Sequence, residues 1–396
     1  MERRTFLKIL SSAGIVSLVS PTFAMEVCKN KVSKSSSALL ESAFRNPPFS
    51  SGVYTWWHWM NGNITKDGIT RDLEAMKANG IAGYQLFEAG SGIPIGPVES
   101  LSDEWVDLIL HTLKESERLG LEFAMHNCPG WSSSGGPWIT PDKAMQIITW
   151  SETKITGGKQ VRIQLPTPKH MFDYYIDTYC LAIPANMKVI PRLSILELSN
   201  RLDKDGVLTW DVPTGEWLIM RFGQTAKDQK NKSAPSKSTG LDCDKFSTEA
   251  LDYHLNCMFK RLMPAMEKIA KHSKIGLLID SYETGDQDWT SDMPAYFEQS
   301  HGYELYPFLP VLANKIVESE ESTKRFLFDF RRVRADMFAE RYYGHFQKRC
   351  KEKGIITYTE PYGGNMMEEL QVAQQLDINM GEFWCCLLYT SPSPRD

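Results

Sequence analysis

The chain has 396 residues, 42% of them hydrophobic and 23% charged, with a formal net charge of −5. That is globular composition, with length for one large domain or two to three smaller ones. No Lys/Arg run appears, which argues against a nucleic-acid partner, and 11 Trp, 15 Tyr and 18 Phe suffice for a large core and a ligand cleft together.

The N-terminus reads as a targeting segment. Arg3, Arg4 and Lys8 form a charged region resembling a twin-arginine signal, residues 9–19 are apolar, and Thr22-Phe23-Ala24 is a small-x-small cleavage site. Residues 1–24 are therefore expected to be removed and the protein exported to the periplasm or beyond. The apolar run is too short for a membrane span. Eight Cys are irregularly spaced without a CxxC pair, so most read as buried free thiols. Neither HExxH nor a Cys/His ladder suggests zinc.

The region from residue 45 onward alternates strand and helix signals. Residues 51–60 (SGVYTWWHWM) read as a first strand. Thr65 caps a helix that Gly80 stops, and residues 81–87 form a second strand ending at Glu88. Ser102 caps a helix over 103–119, closed by Gly120, and a third strand over 121–125 ends at His126 and Asn127. This rhythm is that of a parallel α/β sheet.

It breaks at residues 147–225. Gly157-Gly158 and Pro213-Thr214-Gly215 are turn signals, and residues 217–222 alternate with a period of two, so this stretch reads as an inserted β-rich module. Residues 226–240 (AKDQKNKSAPSKSTG) are polar and basic, and read as a flexible loop and candidate lid. Helical rhythm returns over 247–272 and 326–349. A fourth parallel strand, 275–280, a fifth, 355–359, and a sixth, 377–384, complete the pattern.

The expected fold is an incomplete (β/α)8 TIM-type barrel with the β-rich module between strands 3 and 4. Residues 45–146 and 226–385 form the barrel. Residues 386–396 (CLLYTSPSPRD) read as a translated sequencing adapter, which predicts a C-terminally truncated chain.

Barrels carry their chemistry at the carboxyl ends of the strands. Those ends bring Trp57 and His58, then Glu88, then His126 and Asn127, then Asp280 and Glu283, then Glu360, then Glu382. Gln287 and Trp289 follow the fourth strand, and Trp131 follows the third. Carboxylates beside Tyr and Trp suit a sugar-cleaving site, where aromatics stack on the ring and an acid moves the proton. Glu283 is the candidate acid, with Tyr282 and Trp289 expected to raise its pKa. Trp57, Trp59 and Trp131 are candidate stacking residues, or core. His58, Glu88, His126, Asn127, Asp280 and Gln287 are candidate hydroxyl partners.

WWHWMNGNIT (56–65), HNCPGWSSSGGPWIT (126–140), GLDCDK (240–245), DSYETGDQDWT (280–290) and GEFW (381–384) resemble glycoside hydrolase family 106, the α-L-rhamnosidases of polysaccharide-degrading bacteria. The resemblance covers nearly all of residues 45–385. It implies a barrel catalytic domain, β accessory modules, inverting hydrolysis of rhamnose-containing oligo- or polysaccharides, a calcium ion near the sugar, and an acid in the DSYE segment. The base falls to Glu360, to Glu382 or to a residue downstream. Calcium or sugar-hydroxyl ligation is the alternative role of Glu360 and Glu382.

Overall fold

The computed structural model describes residues 34–131, 134–272 and 274–381. Its centre is a parallel sheet built in chain order. Strand β1 (Val53–Met60) pairs with β2 (Ile81–Ala89), and β2 with β3 (Glu122–His126). The chain then leaves the sheet and re-enters as β10 (Ile275–Ile279), which pairs with β3 on one side and with β11 (Ile356–Thr359) on the other. A two-residue strand, β12 (Ile378–Asn379), follows β11.

The described residues thus contain six parallel strands in sequential order. Six is the number expected of the incomplete eight-stranded barrel. Among the described residues, β1 pairs only with β2.

Short-range chemistry sets the first crossovers. Thr65 Oγ1 accepts the Gly68 amide at 3.1 Å and starts α1 (Lys66–Ala78). Ser102 Oγ does the same for the Trp105 amide at the start of α2 (Asp103–Leu119). Gly120 at φ 67° ends α2, a conformation glycine takes without a Cβ penalty. Ile69 and Leu73 of α1, with Trp105, Leu108, Ile109 and Leu113 of α2, bury against the outer face of the sheet.

Between β3 and β10 lies the β-rich insertion. β4 (Gln146–Thr156), β9 (Glu216–Ala226), β6 (Ile176–Pro184) and β7 (Leu196–Glu197) form an antiparallel sheet in that spatial order. β5 (Lys159–Gln164) and β8 (Val207–Val212) pair separately. Gly158 at φ 83° and Gly215 at φ 126° make the two turns.

Residues 226–240 differ from the expected flexible loop. Asn231 Nδ2 donates to the carbonyls of Pro129 and Ser238, and Asn231 Oδ1 accepts the Gly240 amide. The Lys232 carbonyl accepts the Trp131 amide, and the Ser233 carbonyl accepts that of Gly90. Its backbone polar groups are paired to the β2 and β3 loops, so the loop is a pinned strap. Cys180, Cys243, Cys257 and Cys350 are free thiols. No helix among the described residues is long and apolar enough to cross a membrane.

Candidate active site

The carboxyl ends of the parallel strands open into a cleft of about 740 Å³. Alternation along each strand decides what reaches it. From β1 these are Trp56, His58 and Met60, and from β2 Phe87 and Ala89. Trp131 follows β3. Asp280, Ser281 and Glu283 follow β10, and Glu360 follows β11.

Trp131 stacks on Phe87, with ring centroids 5.4 Å apart and planes 14° from parallel. Trp56, His58 and His126 meet Phe87 edge-on. The wall is therefore an aromatic platform.

The three carboxylates divide into two settings. Asp280 and Glu360 lie buried on the floor, 5% and 3% exposed. They leave the ends of adjacent strands and line the same floor. Burial first, and the neighbouring Glu360 second, hold the Asp280 carboxyl well above the usual aspartate range. Asp280 Oδ1 has no hydrogen-bond partner, while Tyr362 donates its hydroxyl to Glu360 Oε2 at 2.7 Å.

Glu283 sits at the lip. Its Oε2 accepts from Lys232 Nζ at 2.6 Å and from the Trp131 indole at 3.3 Å, and its Oε1 accepts from Ser281 Oγ at 3.2 Å. Partial burial raises the Glu283 carboxyl, but these three donors outweigh it and the pKa lies below the usual glutamate range.

That corrects the expected raised pKa. Tyr282 and Trp289 point elsewhere: Tyr282 donates its hydroxyl to the Gly285 carbonyl, and Trp289 is fully buried in the core.

Several other candidates stand away from the cleft. Trp57 and Trp59 face the helices, where Trp57 donates its indole N–H to Asp72 at 3.1 Å and packs on Tyr84. Glu88 also faces the helices. Ser100 donates to it at 2.8 Å, and burial pushes its carboxyl up to about 7.

Asn127 clamps strands, donating to the Leu278 carbonyl at 2.8 Å and accepting from Ser134 at 2.5 Å. Gln287 is fully buried and accepts the Lys245 amide. His126 lies beneath the aromatic wall, neutral because burial pushes its pKa down to about 3, with Nε2 unpaired.

His58, Trp131, Asp280, Glu283 and Glu360 are thus the sequence candidates that meet in the cleft. Glu382 lies outside the described residues. Trp56 and Phe87 are additions to the cleft, sharing the strand parity of His58 and Ala89, and Lys232 reaches it through its contact with Glu283.

For a calcium ion the described residues offer Asp280 and Glu360 side by side, but no cluster of three or more ligating side chains. Calcium takes roughly six to eight oxygens. The described residues alone do not fit it.

Glycoside hydrolase family 106, described as alpha-L-rhamnosidase, matches residues 45–178 and 169–395. The chain belongs to this family. The rhamnosidase from Novosphingobium sp. PP1Y shares its fold, with a TM-score of 0.77 at 24% identity over 85% of this chain and 49% of that one. A protein of Formosa agariphila named "Putative beta-glucuronidase" is 41% identical over 376 residues, covering 87% of this chain and 32% of that protein. The chain therefore spans about a third of that relative's length and about half of the solved rhamnosidase. The chain is thus a family-106 member by sequence and shares the fold of that rhamnosidase, and its cleft lies where the parallel strands end.

Proposed function

We propose that this chain carries the catalytic cleft of an exported α-L-rhamnosidase that removes terminal rhamnosyl residues from polysaccharide with inversion. The observation behind this reading is the cleft itself, with two buried carboxyls on its floor, a half-exposed one at its lip, and an aromatic wall between. A terminal sugar filling the floor would stack on the wall and leave its glycosidic oxygen near the lip. Glu283 there is the acid, and Glu360 is the candidate base. The parallel sheet is then the larger part of a closed barrel.

Glu283 is ionised beside Lys232 in the free cleft. Substrate that excludes water and separates the pair would restore its proton, because a carboxyl losing a cation and its hydration titrates higher. A second reading is favoured by the high pKa of Asp280: the floor pair donates the proton and Glu283 activates water.

The acidic floor also bears on the substrate. A uronate there would bring its own carboxylate against Asp280 and Glu360, whereas a neutral deoxysugar would not. Calcium belongs to this reading through family resemblance only, and would need ligands besides Asp280 and Glu360.

The test compares aryl α-L-rhamnoside with aryl β-glucuronide as substrates of the full-length protein. Turnover of the rhamnoside is expected, and turnover of the glucuronide alone would overturn the substrate. Glu283→Gln should cost roughly 10²–10⁴-fold on unactivated rhamnosides. Aryl rhamnosides with good leaving groups need less protonation and should lose much less. Equal loss on both moves the acid to the floor pair.

A further inference from the structure

The cleft changes sign between floor and lip. Its floor holds two carboxyls, and the basic strap of residues 226–240 touches its lip through Lys232 and Glu283. Two lysines of the strap reach the loop that carries Glu283. Lys227 Nζ donates to the Asp286 carbonyl at 2.5 Å, and Lys232 Nζ lies 2.6 Å from Glu283 Oε2.

The backbone of Lys232 is fixed by the bond from the Trp131 amide, yet its side chain is 52% exposed. A fixed Cα with a long, solvated ammonium is a cation that stays near the lip and can turn. Its present partner is an exposed carboxylate, and such pairs are weak in water. A second anion entering at the lip would compete for it on near-equal terms.

We propose that Lys232 is the receptor for a carboxylate on the leaving-group sugar, so that a uronate on that side displaces Glu283 from the ion pair. The inference rests on the reading of Glu283 as the acid at the lip. Its consequence is selectivity coupled to activation. A uronate leaving group takes the ammonium, and Glu283, left facing Asp280 and Glu360 across the floor and His58 on the wall, gains a proton from solvent. A neutral leaving group gives Lys232 no reason to turn.

Rhamnosyl-glucuronate and rhamnosyl-glucose, otherwise identical, are the substrates. Wild type, Lys232→Met and Lys237→Gln are compared in the full-length protein. Lys237 is on the same strap but lines a separate recess with Gly96 and Ser100.

In Lys232→Met the ratio of kcat/KM for the uronate over the neutral substrate should fall about tenfold or more, as the loss of one charge-assisted contact implies. The alkaline limb of its kcat/KM profile on the neutral substrate, where the acid loses its proton, should shift to higher pH, which a merely structural lysine would not do. Lys237→Gln should keep the wild-type ratio. An unchanged ratio in Lys232→Met, or an equal fall in Lys237→Gln, overturns the proposal. Dependence on Lys232 for a sulfated leaving group but not for the uronate overturns the carboxylate assignment.

If no rhamnoside is cleaved at all, the proposed activity fails, and the receptor is tested by binding. Methyl β-glucuronide should bind wild type more tightly than Lys232→Met, with methyl β-glucoside indifferent to the substitution. Equal binding of the glucuronide to both proteins would sink it.

Discussion

Asp280 and Glu360 leave neighbouring strands, β10 and β11, and come together on the cleft floor, where burial and the nearby Glu360 raise the Asp280 pKa. Parallel pairing produces this: Ile279 lies opposite Thr359, so the next residue of each strand projects to the same side. Asp280 binds its proton more tightly folded than unfolded. Between the ordinary aspartate pKa and the raised one, the folded state holds the extra proton, so stability falls as pH rises through that window and is flat outside it. Each pKa unit of displacement corresponds to about 1.4 kcal/mol. Asp280→Asn should remove this dependence, so its Tm should gain on wild type as pH rises from about 5 toward 8. Parallel Tm curves for the two proteins would show that Asp280 is not the group that titrates.

Trp131 does two jobs at the wall, stacking on Phe87 and donating to Glu283. Phe at this position keeps the first and removes the second. Trp131→Phe should mainly change kcat and its pH profile, while Trp131→Ala should also raise KM by about tenfold, from the lost aromatic contact. Steady-state kinetics on one aryl rhamnoside separates them. If both variants changed KM alone, the indole bond to Glu283 would have no part in the chemistry.

The division between cleft and core was half legible. Strand order, the capped helices and the β insertion follow from local signals such as Thr65, Ser102, Gly120 and the Gly157-Gly158 turn. Parity is another matter. In TWWHWM both faces of the strand are apolar or aromatic, because a parallel strand is covered on both sides. Nothing local says that Trp56 and His58 face the cleft while Trp57 and Trp59 face helices. The same holds for Glu88, which follows Phe87 on the opposite face of β2 and meets Ser100.

Gln287 and Trp289 follow β10 in a segment without regular structure, where no period assigns a face. Lys232 was invisible because its contact with Glu283 spans 51 residues. The strap looked flexible from composition, since the side-chain clamp of Asn231 has no sequence signature.

The GLDCDK stretch holds an ion pair that supports the site without entering it. Lys245 and Asp242 have fully buried side chains, with Nζ 3.2 Å from Oδ1. Lys245 Nζ also donates to the Ser134 carbonyl, beside the Asn127 clamp. Removing one partner of a buried pair strands the other charge, at a cost of about 3–5 kcal/mol. Lys245→Met should lose stability on that scale in urea denaturation. The double variant Asp242→Leu/Lys245→Met should recover part of the loss, because no charge is then left unpaired. A double variant as unstable as the two single losses added together would mean that packing, not charge, dominates there.

The last prediction concerns the outer edge of β1. Among the described residues, β1 pairs with β2 alone. Val53 is 67% exposed and Tyr54 38%. An eight-residue edge with apolar side chains is a template for pairing with another chain. Among the described residues the opposite edge, β12, is two residues long, and short edges pair poorly. Residues 25–396 expressed by themselves are therefore expected to associate through β1 and to hydrolyse no rhamnoside. Val53→Lys places a charge on that edge and should shift the material toward monomer, as lysine does on natural edge strands. Size-exclusion chromatography with light scattering measures the first expectation, and a rhamnoside assay on the same fractions measures the second. A monomeric wild-type segment would show that the β1 edge is already covered. An active one would show that Glu283 with Asp280 and Glu360 is sufficient for the chemistry.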